Sequence, residues 1–198
     1  MTAAERDEEA RAAWREEAAG LDPAALLFLD ETSTHTAMAR RRARAPRGVR
    51  AVGSVPRNHG PNVTLLAVLG PGGIATSLAV EGAADGPAFD GFVAAFLAPA
   101  LRPGQTVVLD NLAVHKSARA RALVEAAGAR LLFLPPYSPD FNPIEAVFAK
   151  VKEALRAAAA RTREDLLAAT KAALDAVTAE DAAGCYADCG FPLTLQPL

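Results

Sequence analysis

Three carboxylates are the residues of this chain whose type and placement could do chemistry. Asp30 ends the apolar run ALLFLD, and Asp110 ends a second apolar run, TVVLD. Glu145 closes the proline-rich segment LPPYSPDFNPIE, with 34 residues between it and Asp110. Mg²⁺ and Mn²⁺ prefer oxygen ligands, and their sites are commonly completed by substrate phosphates. The three side chains therefore indicate a divalent-metal site in a nucleic-acid-processing enzyme.

The distance between Asp30 and Asp110 depends on how the strands that carry them are arranged. Ligand sites in open sheets gather beyond the carboxyl ends of the strands. If the two apolar strands are neighbours, Asp30 and Asp110 come close enough to share a cation. For either aspartate alone, a role as a turn or cap residue is the simpler interpretation.

Glu145 has two interpretations that the sequence leaves open. Asn142 is a good N-cap, Pro143 suits the first helical position, and Glu145 then occupies the N3 position of a capping box. Alternatively, the helix N-terminus favours the ionised carboxylate as a metal ligand. In that case the loop that aims it is stiffened by four prolines, namely Pro135, Pro136, Pro139 and Pro143. Lys152 shares the helix face of Glu145 and is predicted to contact a phosphate.

The pattern of apolar runs and turn residues predicts an α/β fold. Helices are predicted over residues 3–19 (within an N-terminal helical segment, 1–20), 87–97, 117–128, from 143 onward, and 163–177. Strands are predicted over 26–31, 63–69, 74–80, 106–110 and 130–134, with 63–80 forming a hairpin. Such an order predicts a mixed β-sheet flanked by α-helices. Residues 1–198 are expected to form a single domain.

A basic segment lies between the first two strands. No Asp or Glu occurs from Thr32 to Val80, and this stretch contains seven arginines: Arg40, Arg41, Arg42, Arg44, Arg47, Arg50 and Arg57. Clustered positive charge predicts a DNA-phosphate-contacting surface. A solvated, arginine-rich hairpin tip is the alternative. His59 follows Arg57 in a polar turn and is predicted to join this surface, whereas His35 carries a weaker signal.

Residues after Asp110 are candidates for a supporting role. Asn111, His115 and Lys116 are placed to orient a metal ligand, a water molecule or a phosphate. For His115, a purely structural role before a helix is the alternative.

Bulk composition excludes several other classes. The net charge of −2 argues against a general polyanion binder. The longest apolar stretch is about half a bilayer span, and the acidic N-terminus lacks the apolar region of a signal peptide, so a cytoplasmic location is expected. Cys185 and Cys189 are too few for a disulfide framework and are expected to be incidental thiols.

Three sequence blocks resemble those of a known family. LDETS at Asp30, VLDNLAVHK at Asp110 and LPPYSPDFNPIEAVFAKVK at Glu145 resemble the signature blocks of DDE transposases. The residues of the third block and the spacing of 34 residues are similar to those of the mariner-like superfamily, in particular its bacterial insertion-sequence branch. The resemblance covers about residues 11–190.

This resemblance implies an RNase H-like fold in which Asp30, Asp110 and Glu145 are the catalytic residues and bind two Mg²⁺ or Mn²⁺ ions. It implies hydrolysis at transposon ends, followed by joining of the 3′-hydroxyl to target DNA. Double-stranded DNA, as transposon ends and as target, is the expected partner, with a homodimer on DNA as one expected assembly. Asn142 joins Asn111 and His115 as a supporting residue.

Members of that superfamily carry helix-turn-helix modules before the first catalytic aspartate, whereas 29 residues precede Asp30 here. The expectation is a catalytic domain alone, working at the bacterial nucleoid with a separate helix-turn-helix-bearing partner or first-frame product. Two alternatives remain: a structure-specific nuclease that does not join ends, and a catalytically idle, truncated transposase that binds DNA or transposase as a regulator.

Overall fold

One mixed β-sheet organises the chain. The computed structural model describes residues 5–193. The strands are β1 (Leu26–Thr34), β2 (Val63–Gly70), β3 (Gly73–Glu81), β4 (Thr106–Leu109) and β5 (Arg130–Phe133). Their order is β3-β2-β1-β4-β5; β1 pairs antiparallel with β2 and parallel with β4. The predicted hairpin of β2 and β3 and the mixed sheet are confirmed.

Helices cover both faces of this sheet. They are α1 (Glu8–Ala19), α2 (Gly86–Phe92), α3 (Ala118–Ala126), α4 (Pro143–Ala158), α5 (Arg163–Asp175) and α6 (Ala179–Asp188). Side chains alternate along a strand, so Phe28 packs with α1, α4, α5 and α6, while Leu27 and Leu29 pack with α2 and α3. Two apolar cores therefore clamp β1 from opposite sides. None of the helices within residues 5–193 is long and apolar enough to cross a membrane.

Several predicted boundaries are wrong. The first strand extends to Thr34 because β2 continues to pair with it, with Thr34 opposite Val63. The helix predicted over 87–97 is α-helical only to Phe92 and continues as π-helical and 3₁₀ turns. The helix α1 begins at Glu8 because Asp7 caps it, its carboxylate accepting from the N–H of Ala10 at 3.0 Å. Residues 3 and 4 of that prediction lie outside the described range.

The last helix, α6, was not predicted, and the helix before it ends at Asp175 rather than at 177. Tyr186 attaches α6 to the sheet. Its hydroxyl donates to the carbonyl oxygens of Leu26 at 2.8 Å and Leu69 at 3.2 Å, and its ring packs edge-on against Phe28. Cys185 and Cys189, in α6 and at its end, are free thiols.

Candidate active site

Strand pairing aligns the two aspartates. The parallel register of β1 and β4 places Leu26 opposite Thr106 and Phe28 opposite Val108. Continued by two residues, the same offset brings Asp30 level with Asp110, the residue that follows β4. The adjacency on which the shared-cation prediction depended is therefore present.

Glu145 reaches the same place from a different element. It lies exposed in the first turn of α4, on the wall of a cavity of about 410 Å³ that Asp30 and Asp110 also line. Asn111, Asn142 and the loop from Leu134 to Pro139 complete the lining. The three predicted carboxylates thus share one cavity.

The loop that leads into α4 is fixed to α1. The guanidinium of Arg11, fully buried, pairs with both carboxylate oxygens of Asp140, at 3.1 and 2.6 Å. It also lies over the ring of Phe141, 4.0 Å from its centroid, and the ring of Trp14 stacks on the same Phe141 at 5.1 Å. An N-terminal helix therefore positions the residues immediately before Asn142.

The backbone of this loop carries local strain. Tyr137 has a φ of 54°, in the left-handed region that non-glycine residues rarely adopt, and its side chain is 57% exposed at the rim of the cavity. Such conformations persist where surrounding structure imposes them, commonly at functional sites. Nothing in the sequence drew attention to Tyr137.

The capping box predicted at the start of α4 is not formed. Asn142 is the N-cap residue, but its side chain makes no capping hydrogen bond. Instead its Nδ2 donates to Oδ2 of Asp30 at 2.7 Å, in a buried contact. A capping bond would use Oδ1 of Asn142 as the acceptor, whereas the amide is oriented so that Nδ2 donates to Asp30. Oδ1 of Asn142 is buried with no partner among the described residues.

His115 lies between two carboxylates. It is buried, its Nδ1 is hydrogen-bonded to Oδ1 of Asp110, and its Nε2 lies 3.0 Å from Oε2 of Glu31. Sequence reasoning did not single out Glu31. The available signal was strand alternation, because Glu31 points to the sheet face opposite to Asp30, where the segment after β4 brings His115.

The carboxylates and this histidine have divergent proton affinities. Burial raises the pKa of Asp30 to about 7, reinforced by the nearby charges of Glu145, Asp110 and Glu31, although the N–H of Glu31 opposes the shift. Burial would also raise the pKa of Asp110, but hydrogen bonds from His115 and the N–H of Leu112 lower it. Burial lowers the pKa of His115, yet its bonds to Asp110 and Glu31 outweigh this and raise it to about 9. The site therefore concentrates more negative charge than it neutralises.

The carboxylates share the cavity without forming a finished coordination group. Among residues 5–193, no three His, Cys, Asp or Glu side chains are placed together so as to hold a metal ion. Oδ1 of Asp110 accepts from the N–H of Leu112 at 3.0 Å as well as contacting His115. Asp30, Asp110 and Glu145 would have to approach one another further to share an ion.

The predicted phosphate contacts lie outside the cavity. Lys116 is exposed at the end of a 3₁₀ turn, Ala113–Lys116. Lys152 lines a different cavity together with Arg41.

The seven arginines lie between β1 and β2 in a segment without helix or strand, all of them exposed and none ion-paired within the described part of the chain. The alternative, a solvated, arginine-rich hairpin tip, also fits the position of this segment, because it joins the antiparallel strands β1 and β2 beyond the pair of Thr34 and Val63. His59 stacks on His35, with ring centroids 4.4 Å apart.

Comparisons with known proteins identify a family and a fold. The family model described as DDE superfamily endonuclease matches residues 25–167. The Mos1 transposase paired-end complex with left transposon end is 16% identical, with a TM-score of 0.73, over 92% of this chain and 57% of that chain. The catalytic domain of Mos1 mariner transposase is 12% identical, with a TM-score of 0.63, over 92% of this chain and 85% of that one.

At these identities the likeness to solved structures concerns the fold, and the predicted RNase H-like mixed sheet flanked by helices is confirmed. The chain spans only 57% of the length of the Mos1 chain in the paired-end complex. No curated protein sequence matches it.

Proposed function

Since the chain belongs to the DDE superfamily of endonucleases, we propose that it is the catalytic domain of an insertion-sequence transposase. It cuts DNA at transposon ends and joins the freed 3′-hydroxyl to target DNA. The observation that carries the proposal is the alignment of Asp30 with Asp110 on neighbouring parallel strands, with Glu145 on the wall of the same cavity.

Asp30, Asp110 and Glu145 are proposed to hold two Mg²⁺ or Mn²⁺ ions. The donor set suits these ions because all three side chains offer carboxylate oxygens. The electrostatics also suit them, since the raised pKa of Asp30 reflects burial and unneutralised negative neighbours that a cation would relieve. Paired-end complexes of Mos1 transposase have been solved with Mn and with Mg.

When bound, a pair of divalent ions activates the attacking water or 3′-hydroxyl and stabilises the leaving oxygen of an in-line displacement. The chain's own side chains orient the proposed metal ligands. His115, held by Glu31, fixes the orientation of Asp110, and Asn142 fixes that of Asp30. Residues that orient metal ligands in this way commonly contribute 10–100-fold to affinity or activity. Asn111 lines the cavity beside them.

The DNA-binding surface is proposed to comprise the seven exposed arginines between β1 and β2, Lys116 and Lys152. Exposed cations of this kind bind phosphates without sequence preference. The expected single domain over residues 1–198, the homodimer on DNA, the helix-turn-helix-bearing partner and the cytoplasmic, nucleoid-associated location stay predictions.

Cleavage of supercoiled plasmid with Mn²⁺ tests the proposal, comparing the wild type with Asp110→Asn. Asp85→Asn is the matched control, because Asp85 caps α2 through Ala88 and asparagine caps equally well. We expect Asp110→Asn to lose at least about 100-fold in rate while the control keeps its activity. Equal cleavage by the wild type and Asp110→Asn would overturn the assignment of the three carboxylates.

A second assay separates joining from cutting. Pre-cut DNA ends with a free 3′-hydroxyl are incubated with a target plasmid, and joined products are measured. Cleavage without joined products would make the protein a nuclease that does not transfer strands. DNA binding without either activity would make it an idle regulator.

A further inference from the structure

A second cavity, of about 330 Å³, lies at the base of the arginine segment. Its polar lining consists of Ser33, His35, Arg41, Lys152 and Arg156, and the described residues that line it include no Asp or Glu. This is the reverse of the active-site cavity, whose charged lining residues are three carboxylates. Cations and neutral donors around one space suit an anion with several oxygens.

Helix α4 connects the two cavities. Glu145, Lys152 and Arg156 are spaced at i, i+7 and i+11, so they follow one face of the helix. Ala149, between them on that face, is small. Seven helical residues correspond to about 10 Å along the axis. One strand of a DNA duplex advances about 3.4 Å per nucleotide along the duplex axis, so this separation corresponds to at most about three nucleotides.

The loop wall of the second cavity is held in place. The ring of His35 stacks on His59, and Nδ1 of His35 accepts from the N–H of Ala37 at 3.2 Å. This bond leaves Nε2 as the N–H donor of the neutral ring. Burial, reinforced by the charge of His59, lowers the pKa of His35, which favours that neutral form.

Arg161 fixes the next turn of the same wall. Its Nη1 donates to the carbonyl oxygens of Thr36 at 2.8 Å and Met38 at 3.1 Å. The cavity is therefore formed before any ligand arrives, which reduces the entropy lost on binding.

Arg156 already has one weak partner. Its Nη1 lies 3.1 Å from the carboxylate of Glu153, which is 64% exposed. Pairs that involve a carboxylate so well hydrated are worth little. The guanidinium of Arg156, whose side chain is 14% exposed, therefore keeps most of its capacity for a second anion.

We propose that this cavity binds a backbone phosphodiester of the DNA strand, within about three nucleotides of the bond that is cut. The proposal rests on the proposed function, because it takes the cutting site to be the carboxylate cavity. A DNA strand is favoured over a free phosphate ion because the exposed arginines of the adjoining segment continue the positive surface beyond the cavity. Arg156 and His35 are the residues that this assignment adds to the DNA-binding surface.

Binding to a 20-base-pair duplex without metal, measured at several salt concentrations, gives the first test. Arg156→Gln is compared with Arg119→Gln, an exposed arginine on α3 at the opposite face of the sheet. We expect Arg156→Gln to lower the slope of log K against log salt by about 1 and to weaken binding about 5–10-fold at low salt. Lys152→Gln should behave in the same way, whereas Arg119→Gln should match the wild type.

Inorganic phosphate distinguishes the two sources of the anion. Suppose that inorganic phosphate raises the melting temperature of the wild type but not of Arg156→Gln, while both proteins bind the duplex equally well. The cavity then binds free phosphate, and its assignment to a DNA strand is wrong. If Arg156→Gln and Arg119→Gln are indistinguishable in both measurements, the cavity is not an anion site.

A neutral methylphosphonate, placed singly along an oligonucleotide that the protein cuts with Mn²⁺, tests the distance. We expect the wild-type rate to fall when the substitution lies about one to three nucleotides from the cut, and no further fall in Arg156→Gln. If the methylphosphonate lowers the rates of the wild type and of Arg156→Gln by the same factor at every position in that range, the proposed position is wrong. If the protein cuts no DNA but Arg156→Gln still lowers the slope of log K against log salt, the proposed function is wrong and the phosphate site is still supported.

Discussion

The side-chain amide of Asn142 donates a hydrogen bond to Oδ2 of Asp30 at 2.7 Å, joining residues 112 positions apart. The other carboxylate oxygen of Asp30 accepts from the N–H of Glu31, also at 2.7 Å. Two donors therefore fix a buried carboxylate in one orientation. Asn142 remains the N-cap residue of α4 by position, but its side chain makes this bond and no capping bond.

Asn142→Ala should weaken Mn²⁺ binding by the carboxylates of the active-site cavity. Without the amide, Asp30 loses one of the two donors that orient it, and we expect activity at low Mn²⁺ to fall about 10–100-fold. High Mn²⁺ should restore part of the loss. Asn142→Ser, which keeps a residue favoured at N-caps, should show the same defect because the side chain does not cap α4. An unchanged Mn²⁺ dependence in both variants would show that the bond has no role in metal binding.

Asp30→Asn should stabilise the metal-free protein at alkaline pH. The folded pKa of Asp30, about 7, lies above its unfolded value, so its contribution is fully favourable only below about pH 4 and is lost as the pH rises through 7. Ionised Asp30 therefore destabilises the fold, and its replacement should gain about 2 kcal/mol at pH 8 and little at pH 4. Asn142 can rotate its amide, so that its unpartnered Oδ1 accepts from the new side chain.

Thermal melting at pH 4, 6 and 8 checks this gain, with Glu16→Gln on α1 as an exposed control. Adding Mn²⁺ at pH 8 should raise the melting temperature of the wild type and leave that of Asp30→Asn unchanged. A pH-independent difference between the two proteins would mean that Asp30 does not titrate near 7.

Glu145→Gln and Glu145→Ala should both fold normally and both lose metal-dependent cleavage. Since Asn142 makes no capping bond, Glu145 contributes only the favourable placement of a negative charge at a helix N-terminus, about 0.5 kcal/mol. Urea unfolding of the two variants gives the comparison. A loss of stability in Glu145→Ala that Glu145→Gln does not share is the signature of a capping box in solution.

Asp140→Ala should destabilise the protein by about 2 kcal/mol at pH 7, because it leaves the buried guanidinium of Arg11 with only the longer ion pair to Glu8, at 3.4 Å. Arg11→Met in the same chain should recover part of that loss, since it removes a buried charge that has lost its main partner and fills a similar volume. Hydrogen bonding from Arg11 holds the pKa of Asp140 below its usual range, so the contribution is present above about pH 4. It should disappear as the pH falls through the lowered value.

Urea unfolding at pH 7 and pH 3 measures both effects. Asp175→Asn is the control, because Asp175 pairs with Lys171 on the surface and both side chains are more than half exposed. If Asp140→Ala loses no more stability than Asp175→Asn at pH 7, the pair with Arg11 does not anchor the loop.

Much of the fold could be predicted because its signals are local. The run ending at Asp110 and the hairpin of β2 and β3 are short apolar segments bounded by turn residues, and the structure contains them. The run ending at Asp30 begins β1, which continues to Thr34. The helix α6 was not predicted, and it contains Gly184, a poor helix former, in its interior. Tertiary packing decides its place, through the buried hydroxyl of Tyr186.

By itself, the sequence determined which carboxylates follow apolar runs or open a helix, and that a basic segment follows the first of them. Only the tertiary structure decided what those residues contact. Asn142 bonds to Asp30 rather than capping its own helix, His115 bridges Asp110 to Glu31, and Arg156 meets His35 across a cavity. Propensity and periodicity act over a few residues, whereas each of these choices depends on a charged or polar partner that the fold brings from a distant part of the chain.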